Sequence, residues 1–245
     1  MSTEDADYPR DEACQALREA RFADFTITCD GKIFKVHRPT IYYKSNYFKA
    51  LLDNDFKEKA DATVDLKETT PVAVAIVLLY CYAREVTELC KCPYKWLSKT
   101  WPQYFSDSEG PFAEMDALLD AYVLADRLLM KTAKVVIACE LLRKLTEGHA
   151  ASYSIPTDAK QLWKTGMIQL IDRIYNKAPV GDGGLRSAMS GLIFRNIFNT
   201  WGNFDQLKQI AREKDADAFV ALEILANYDY KQQSTFTQCL NKTME

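Results

Sequence analysis

Few residues of this chain are of the types that carry catalysis or bind metals. Its 245 residues include only two histidines, His37 and His149. A structural zinc site takes about four Cys or His ligands, and Cys90-x-Cys92 has no second pair near it in the sequence. Hydrolase, zinc-protease and dinucleotide-binding motifs are absent, and Gly181-Asp-Gly-Gly184 lacks the Lys-Ser/Thr ending of a phosphate loop. We therefore predict no catalytic residue, metal or cofactor, and an enzyme of an unrecognised class is the least favoured interpretation.

Aromatic side chains are the most conspicuous chemistry that remains. Residues 87–113 have the composition of a loop, yet they contain Trp96, Trp101, Tyr104 and Phe105. Aromatic residues dominate the binding energy of many protein interfaces, so this stretch is predicted to be a recognition surface. In the alternative interpretation the rings fold back onto the domain's own helices, since large exposed aromatic patches are rare on soluble monomers. Both interpretations stay open at this point.

Composition excludes several classes of partner. Hydrophobic residues make up 48% and the formal net charge is −3, as in an ordinary globular protein, so no basic footprint for nucleic acid is present. The longest apolar run, residues 72–82, is shorter than the roughly 20 residues that span a bilayer. Seven cysteines, an odd number, lie mostly inside apolar runs. We therefore expect neither a nucleic acid nor a membrane as partner, and a reducing location in the cytoplasm, the nucleus or both.

A small sheet is predicted near the N-terminus. Asp30-Gly31 separates two short runs with strand composition, residues 25–29 and 32–36, and Asp-Gly is the strongest short-range signal for a hairpin. The adjacent apolar residues Ile33 and Phe34 interrupt the alternation, which predicts a sheet covered on more than one side. Residues 63–66 are predicted to be a third strand.

Helices are predicted for most of the remaining chain. Helices are expected over residues 12–21, over 46–52 with Ser45 as the cap, and from Pro71 to Tyr82, a segment predicted to be buried on all sides. Apolar residues at helical spacing predict a helix from Met115, another over residues 128–145 in which 135–138 are buried all round, and a helical region over 157–227. Residues 1–11 are predicted to be a disordered leader, 148–156 a break, and 228–245 a polar tail.

Together, the order of these segments resembles a BTB/POZ domain. The resemblance rests on Phe-Ala-Asp-Phe-Thr-Ile at 22–27, His37-Arg38, Ser45-Asn-Tyr-Phe48, Phe56-Lys57-Glu58 and Ala-Tyr-Val-Leu-Ala-Asp-Arg-Leu at 121–128. It implies an α+β fold over residues 12–147, in which a sheet of three or more strands is capped by a helical cluster and interrupted by the insertion at 87–113. It also implies a structural role for His37.

The C-terminal half is similar to the all-helical extension of many fungal BTB proteins. That similarity rests on Asp-Arg-Ile-Tyr at 172–175 followed by Gly-Leu-Arg at 184–186.

The resemblance implies a non-catalytic protein–protein interaction module. One hypothesis is a substrate adaptor of a cullin-type ubiquitin ligase, because such adaptors carry a hydrophobic-x-Glu motif where Phe56-Lys57-Glu58 stands here. Its predicted cullin-binding residues are Phe56, Glu58 and Leu52, and its substrate would bind the insertion or the C-terminal helices. The alternative is a homodimerising scaffold in transcription or chromatin regulation, with Leu17 and Phe22 as the candidate dimer residues.

Overall fold

The structure is a computed structural model that describes residues 12–83, 97–98, 101–105, 112–152, 157–179, 185–186, 189, 209–210 and 212–213. The chain forms two compact units, Met1–Leu141 and Leu142–Glu245. The predicted leader at 1–11, the predicted tail at 228–245 and residues 87–96 of the insertion lie outside the described residues.

The first unit is built on a three-stranded sheet. Strands β1 (Phe25–Cys29) and β2 (Lys32–Val36) pair antiparallel, and β3 (Thr63–Asp65) pairs in parallel with the other side of β1. Asp30 and Gly31 have φ values of +48° and +70°, as a two-residue turn with both central residues in the left-handed region requires. The predicted hairpin and third strand are therefore confirmed.

The two faces of the sheet have different environments. Phe25, Ile27 and Phe34 are buried, whereas Ile33 is 55% exposed. The prediction that the sheet is covered on more than one side at β2 was wrong. The two-residue turn pairs Ile33 with Thr28, and this register directs both side chains to the outer face.

Among the residues that the structure describes before the insertion, the first unit has five helices: α1 (Glu12–Glu19), α2 (Arg38–Lys44), α3 (Asn46–Asp53), α4 (Lys57–Ala60) and α5 (Pro71–Tyr82). The starts of α3 and α5 follow the predicted caps. The Ser45 hydroxyl accepts a hydrogen bond from Phe48 N–H at 3.2 Å, and the Thr70 hydroxyl accepts one from Ala73 N–H at 3.2 Å. Every residue of α5 from Ala73 to Tyr82 is buried, so the predicted central helix is confirmed.

Two longer helices follow the insertion, and the predictions for them need correction. Helix α6 (Ala113–Arg127) and helix α7 (Lys131–Ser152) are separated by a turn in which Leu129 has φ +53°, so no helix begins at residue 128. Val135 is 62% exposed, so residues 135–138 are not buried all round. The predicted break at 148 is also wrong, because α7 continues to Ser152. The propensity cost of one glycine, about 1 kcal/mol, does not stop a long helix.

The second unit contains helix α8 (Thr157–Lys177). Met167, Leu170, Ile171 and Ile174 are buried along one face, as their spacing predicted. The end of α8 is capped by Arg186, whose guanidinium donates hydrogen bonds at 2.7 Å to the carbonyl oxygens of both Tyr175 and Ala178. Most of the predicted helical region after residue 189 lies outside the described residues.

Candidate protein-interaction surfaces

The residues predicted to bind a cullin lie at the junction of α3 and α4. Phe56 immediately precedes α4 and is 52% exposed, Glu58 in its first turn is exposed, and Leu52 near the end of α3 is half-buried. Helix α3 ends at this point because the backbone of Asn54 is extended, with φ −98° and ψ 165°. Its backbone N–H and side-chain amide both donate to Ala50 O, at 3.3 and 2.7 Å. We call Leu52, Phe56 and Glu58 the α3–α4 surface.

The charge of Glu58 acts on Tyr47 in α3. The pKa of Tyr47 is raised by burial and, to a smaller extent, by the negative charge of Glu58, while Arg127 acts in the opposite direction. The start of α3 is fixed to the turn after α6, because the Ser45 hydroxyl and Tyr47 N–H both donate to Leu128 O, at 2.6 and 3.4 Å. The α3–α4 surface lies at the other end of this eight-residue helix.

The residues predicted to form a dimer have different environments. Leu17 is 2% exposed and packs inside the first unit, so its side chain is not available to a partner, whereas Phe22 is 89% exposed. Phe22 also has φ +58°, which is rare for a bulky residue. The Arg21 guanidinium lies 5.8 Å from the centre of its ring. Phe22 also borders a groove of about 350 Å³, whose other lining residues include Ala13, Ala16, Asp24, Pro39 and Tyr82.

His37 holds the turn that presents Phe22. Its Nε2 lies 2.6 Å from Arg21 O, its Nδ1 lies 2.8 Å from the Tyr82 hydroxyl, and its backbone N–H donates to the same hydroxyl at 2.8 Å. Because a carbonyl only accepts, we assign the ring hydrogen to Nε2, and the Tyr82 O–H then donates to Nδ1. The predicted role of His37 as a hydrogen-bonded packing residue is confirmed. Burial is the main cause that raises the pKa of Tyr82.

Two aromatic residues of the insertion, Trp101 and Tyr104, contact the sheet. The ring centres of Trp101 and Tyr104 lie 5.8 and 4.7 Å from that of Phe34, and the Tyr104 hydroxyl donates to Ile33 O at 2.7 Å. Phe105 is half-buried, and Trp96 lies outside the described residues. For Trp101 and Tyr104, the contacts favour the interpretation in which the aromatic residues fold back onto the domain.

Sequence reasoning missed several exposed apolar side chains. Tyr43 at the end of α2 is 83% exposed, and Leu129 in the turn between α6 and α7 is 57% exposed. Tyr43 follows Pro39 by four residues, so helical spacing places both on one side of α2. That spacing does not show whether Tyr43 is exposed, and no pattern in the sequence marked Leu129.

Metal binding and membrane insertion find no support in the part of the chain that the structure describes. No three His, Cys, Asp or Glu side chains come close enough together there to hold a metal ion. Within the same residues, no helix combines the length and the apolar character that crossing a membrane requires.

Comparison with known families finds a match within the first unit. A family model for the BTB/POZ domain matches residues 14–95. The chain contains a BTB/POZ domain. BTB domains are protein–protein interaction modules, and the mixed sheet with its surrounding helices is the α+β fold that the resemblance implied. The match includes Phe22, Phe56 and Glu58, and it ends before Trp101 and Tyr104.

A curated relative resembles only a short part of the chain. Kelch-like protein 40a of Danio rerio is 29% identical over 77 residues, which make up 31% of this chain and 13% of that relative. The chain therefore spans a small fraction of the length of the relative it matches.

Proposed function

We propose that this BTB domain binds a cullin-type scaffold through the α3–α4 surface, and that the protein acts as a substrate adaptor of a ubiquitin ligase. The observation that carries the proposal is the exposure of both Phe56 and Glu58, two residues apart at the start of α4. The substrate would bind elsewhere, at the insertion or at the C-terminal helices. A cytoplasmic or nuclear location is part of the same proposal.

The chemistry of the α3–α4 surface suits a protein partner. Phe56 keeps about half of its side chain in water, so a partner that covers it would gain apolar burial, roughly 1.5–3 kcal/mol for a whole side chain of this size. Glu58 offers two oxygens that accept hydrogen bonds, which are stronger when the acceptor is charged. Buried aromatic anchors beside such polar contacts are typical of binding hot spots.

The proposal is tested by titrating the full chain with the N-terminal domain of a cullin. Phe56→Ala should weaken binding about tenfold or more, the effect of a loss near 1.4 kcal/mol, and Glu58→Ala severalfold. Lys57→Ala is the matched control, since Lys57 is exposed between the two and should change the affinity by less than about twofold. Binding of Phe56→Ala with wild-type affinity, or no binding by the wild type, would contradict the proposal.

A second candidate function is a homodimerising scaffold in transcription or chromatin regulation. It is favoured by Phe22, which combines an exposed aromatic side chain with a disfavoured backbone conformation beside an open groove. Light scattering tests it: a dimer mass that reverts to the monomer mass in Phe22→Ala is the expected result. A monomeric wild type at tens of micromolar, well above the Kd of a stable dimer, would remove this candidate.

A further inference from the structure

The outer edge of β2 has the hydrogen-bonding groups of a strand that can accept another strand. In the sheet order β2-β1-β3, β2 has a strand neighbour on one side only among the described residues. Thr26 N–H donates to Ala62 O at 2.9 Å and Thr28 O accepts from Leu66 N–H at 2.8 Å, so these two residues of β1 face β3. Their antiparallel partners, Lys35 and Ile33, therefore direct their own N–H and C=O groups away from β1.

Residues 101–105, which we call the strap, lie against this edge. The Tyr104 hydroxyl donates to the outward-facing Ile33 O at 2.7 Å. The rings of Trp101 and Tyr104 pack on Phe34, with interplanar angles of 85° and 51°. The strap is held in turn by a short 3₁₀ turn, Pro102–Tyr104, and by the bond from Trp101 N–H to the carbonyl of the fully buried Leu97 at 2.8 Å.

Without the strap, β2 would have weak protection against strand pairing. Exposed edge strands of ordinary proteins are guarded by charges, prolines, bulges or covering segments. The side chain of Ile33 is 55% exposed. Of the two lysines in β2, Lys35 shares a face of the sheet with Ile33. Its ammonium group donates to the Thr26 hydroxyl at 3.0 Å and is therefore directed over β1 rather than beyond the edge.

The strand that suits this edge is β2 of a second copy. Two copies of β2 paired antiparallel about Phe34 would place Ile33 of each copy opposite Lys35 of the other. The outward-facing N–H and C=O groups of both residues would then pair, and the two lysines would not stand directly opposite each other. The edge is thus self-complementary.

We propose that the strap is an edge guard, which prevents two copies of the chain from associating through β2. Removing its contacts converts β2 into a self-association site. This inference does not depend on the α3–α4 surface or on Phe22, and the residues it uses belong to neither.

Sedimentation velocity over a wide range of concentrations tests the guard. Tyr104→Phe keeps the ring on Phe34 and removes only the hydroxyl that bonds Ile33 O. This variant should form species heavier than the wild type does. Its association constant should be about fivefold larger, the factor that one lost hydrogen bond gives. Trp101→Ala combined with Tyr104→Ala removes the packing too and should associate more strongly. Tyr43→Phe, the same chemical change at an 83% exposed residue away from β2, should behave as the wild type.

A rescue substitution identifies the surface that associates. Ile33→Lys is added to Tyr104→Phe and to the double variant, which we call the released chains. It changes an exposed residue and would put a lysine opposite Lys35 of the other copy, so the wild-type mass should return. Released chains that keep the wild-type mass at every concentration would overturn the proposal, as would association that Ile33→Lys leaves unchanged. If the double variant loses its wild-type circular dichroism, Tyr104→Phe decides alone. Cullin binding by the same variants reports separately on the proposed function.

Discussion

At the scale of single residues, His37 connects three parts of the BTB domain. It follows β2 directly, its ring bonds the buried hydroxyl of Tyr82 in α5, and its other ring nitrogen bonds Arg21 O in the turn before β1. That turn contains Ala20 and Phe22, both with φ above +50°. Left-handed backbone in residues other than glycine persists only where surrounding contacts determine it. The histidine is therefore a positioning residue for Phe22.

Replacing His37 should destabilise the domain. His37→Ala removes two side-chain hydrogen bonds and leaves the Tyr82 hydroxyl with one partner fewer in a buried site, so the free energy of unfolding should fall by about 2–3 kcal/mol. Urea denaturation measures this change. Phe22→Ala is the control, because truncating an 89% exposed ring should change stability by less than about 0.5 kcal/mol. Equal stability of both variants would show that the hydrogen bonds of His37 do not hold the turn.

Two buried thiols make the domain sensitive to alkaline pH. Burial raises the pKa of Cys81 to about 12 and that of Cys29 to about 11, the latter with a contribution from the charges of Asp30 and Asp65. The folded state therefore retains these protons more strongly than the unfolded state. Their contribution to stability is complete below about pH 9 and is lost as the pH rises towards 11–12, at about 1.4 kcal/mol per pH unit for each thiol.

Denaturation at several alkaline pH values checks this dependence. Cys81→Ala should lose some stability at neutral pH through a small cavity, but its stability should fall less steeply above pH 9 than that of the wild type. Cys139→Ala changes an exposed thiol and should keep the wild-type slope. A slope in Cys81→Ala as steep as that of the wild type would contradict the assignment.

At the scale of elements, local chemistry sets the hairpin and the starts of α3 and α5, so these could be predicted from the sequence. Asp30-Gly31, Ser45 and Thr70-Pro71 each act within a few residues of themselves, so the sequence carries their signal directly. The exposed positions of Ile33 and Val135 depend on register and on which neighbours surround α7, and no local pattern contains that information. The contact of Tyr104 with β2 joins residues 71 positions apart, which is why two interpretations of the aromatic insertion stayed open.

Ser45 has a second role beyond that of a cap, and this role makes a prediction. Its hydroxyl accepts from Phe48 N–H and donates to Leu128 O while 2% exposed. Ser45→Ala should lower the free energy of unfolding by about 2 kcal/mol, since a cap is lost and Leu128 O loses its shorter hydrogen bond, keeping that from Tyr47 N–H at 3.4 Å. Thr70→Ala removes a cap alone and should lose only about 1 kcal/mol. Thermal or urea unfolding compares them, and a smaller loss for Ser45→Ala than for Thr70→Ala would be inconsistent with the second role.

At the scale of the whole molecule, the chain comprises two compact units that should respond differently to substitution. Arg186 belongs to the second unit and bonds three times to carbonyls at the end of α8. The similarity of the Gly-Leu-Arg segment at 184–186 to fungal BTB proteins stays a prediction. In the structure, Arg186 of this segment caps the end of α8 from outside the helix.

Removing this cap should loosen the second unit alone. Arg186→Ala leaves carbonyl groups at the end of α8 without their donor, at a cost of about 1.5–3 kcal/mol for hydrogen bonds to a charged group. Hydrogen exchange followed by mass spectrometry should show faster exchange in α8 and unchanged exchange in β1 and α5. Arg186→Lys is the conservative control and should restore part of the protection, since one ammonium group can still donate. Faster exchange in both units would mean that they unfold together.

The parallel pairing of β1 with β3 also determines the order in which the sheet can assemble. The hairpin of β1 and β2 closes over two residues, and hairpins form in about 1–10 μs. Thr26 and its partner Thr63, by contrast, are separated by three helices along the chain. The entropy of closing that long loop must be overcome before the pairing contributes anything. On the ribosome, a nascent chain would carry only the hairpin until Asp65 had left the exit tunnel, so β1 would expose an unpaired edge throughout the synthesis of α2, α3 and α4.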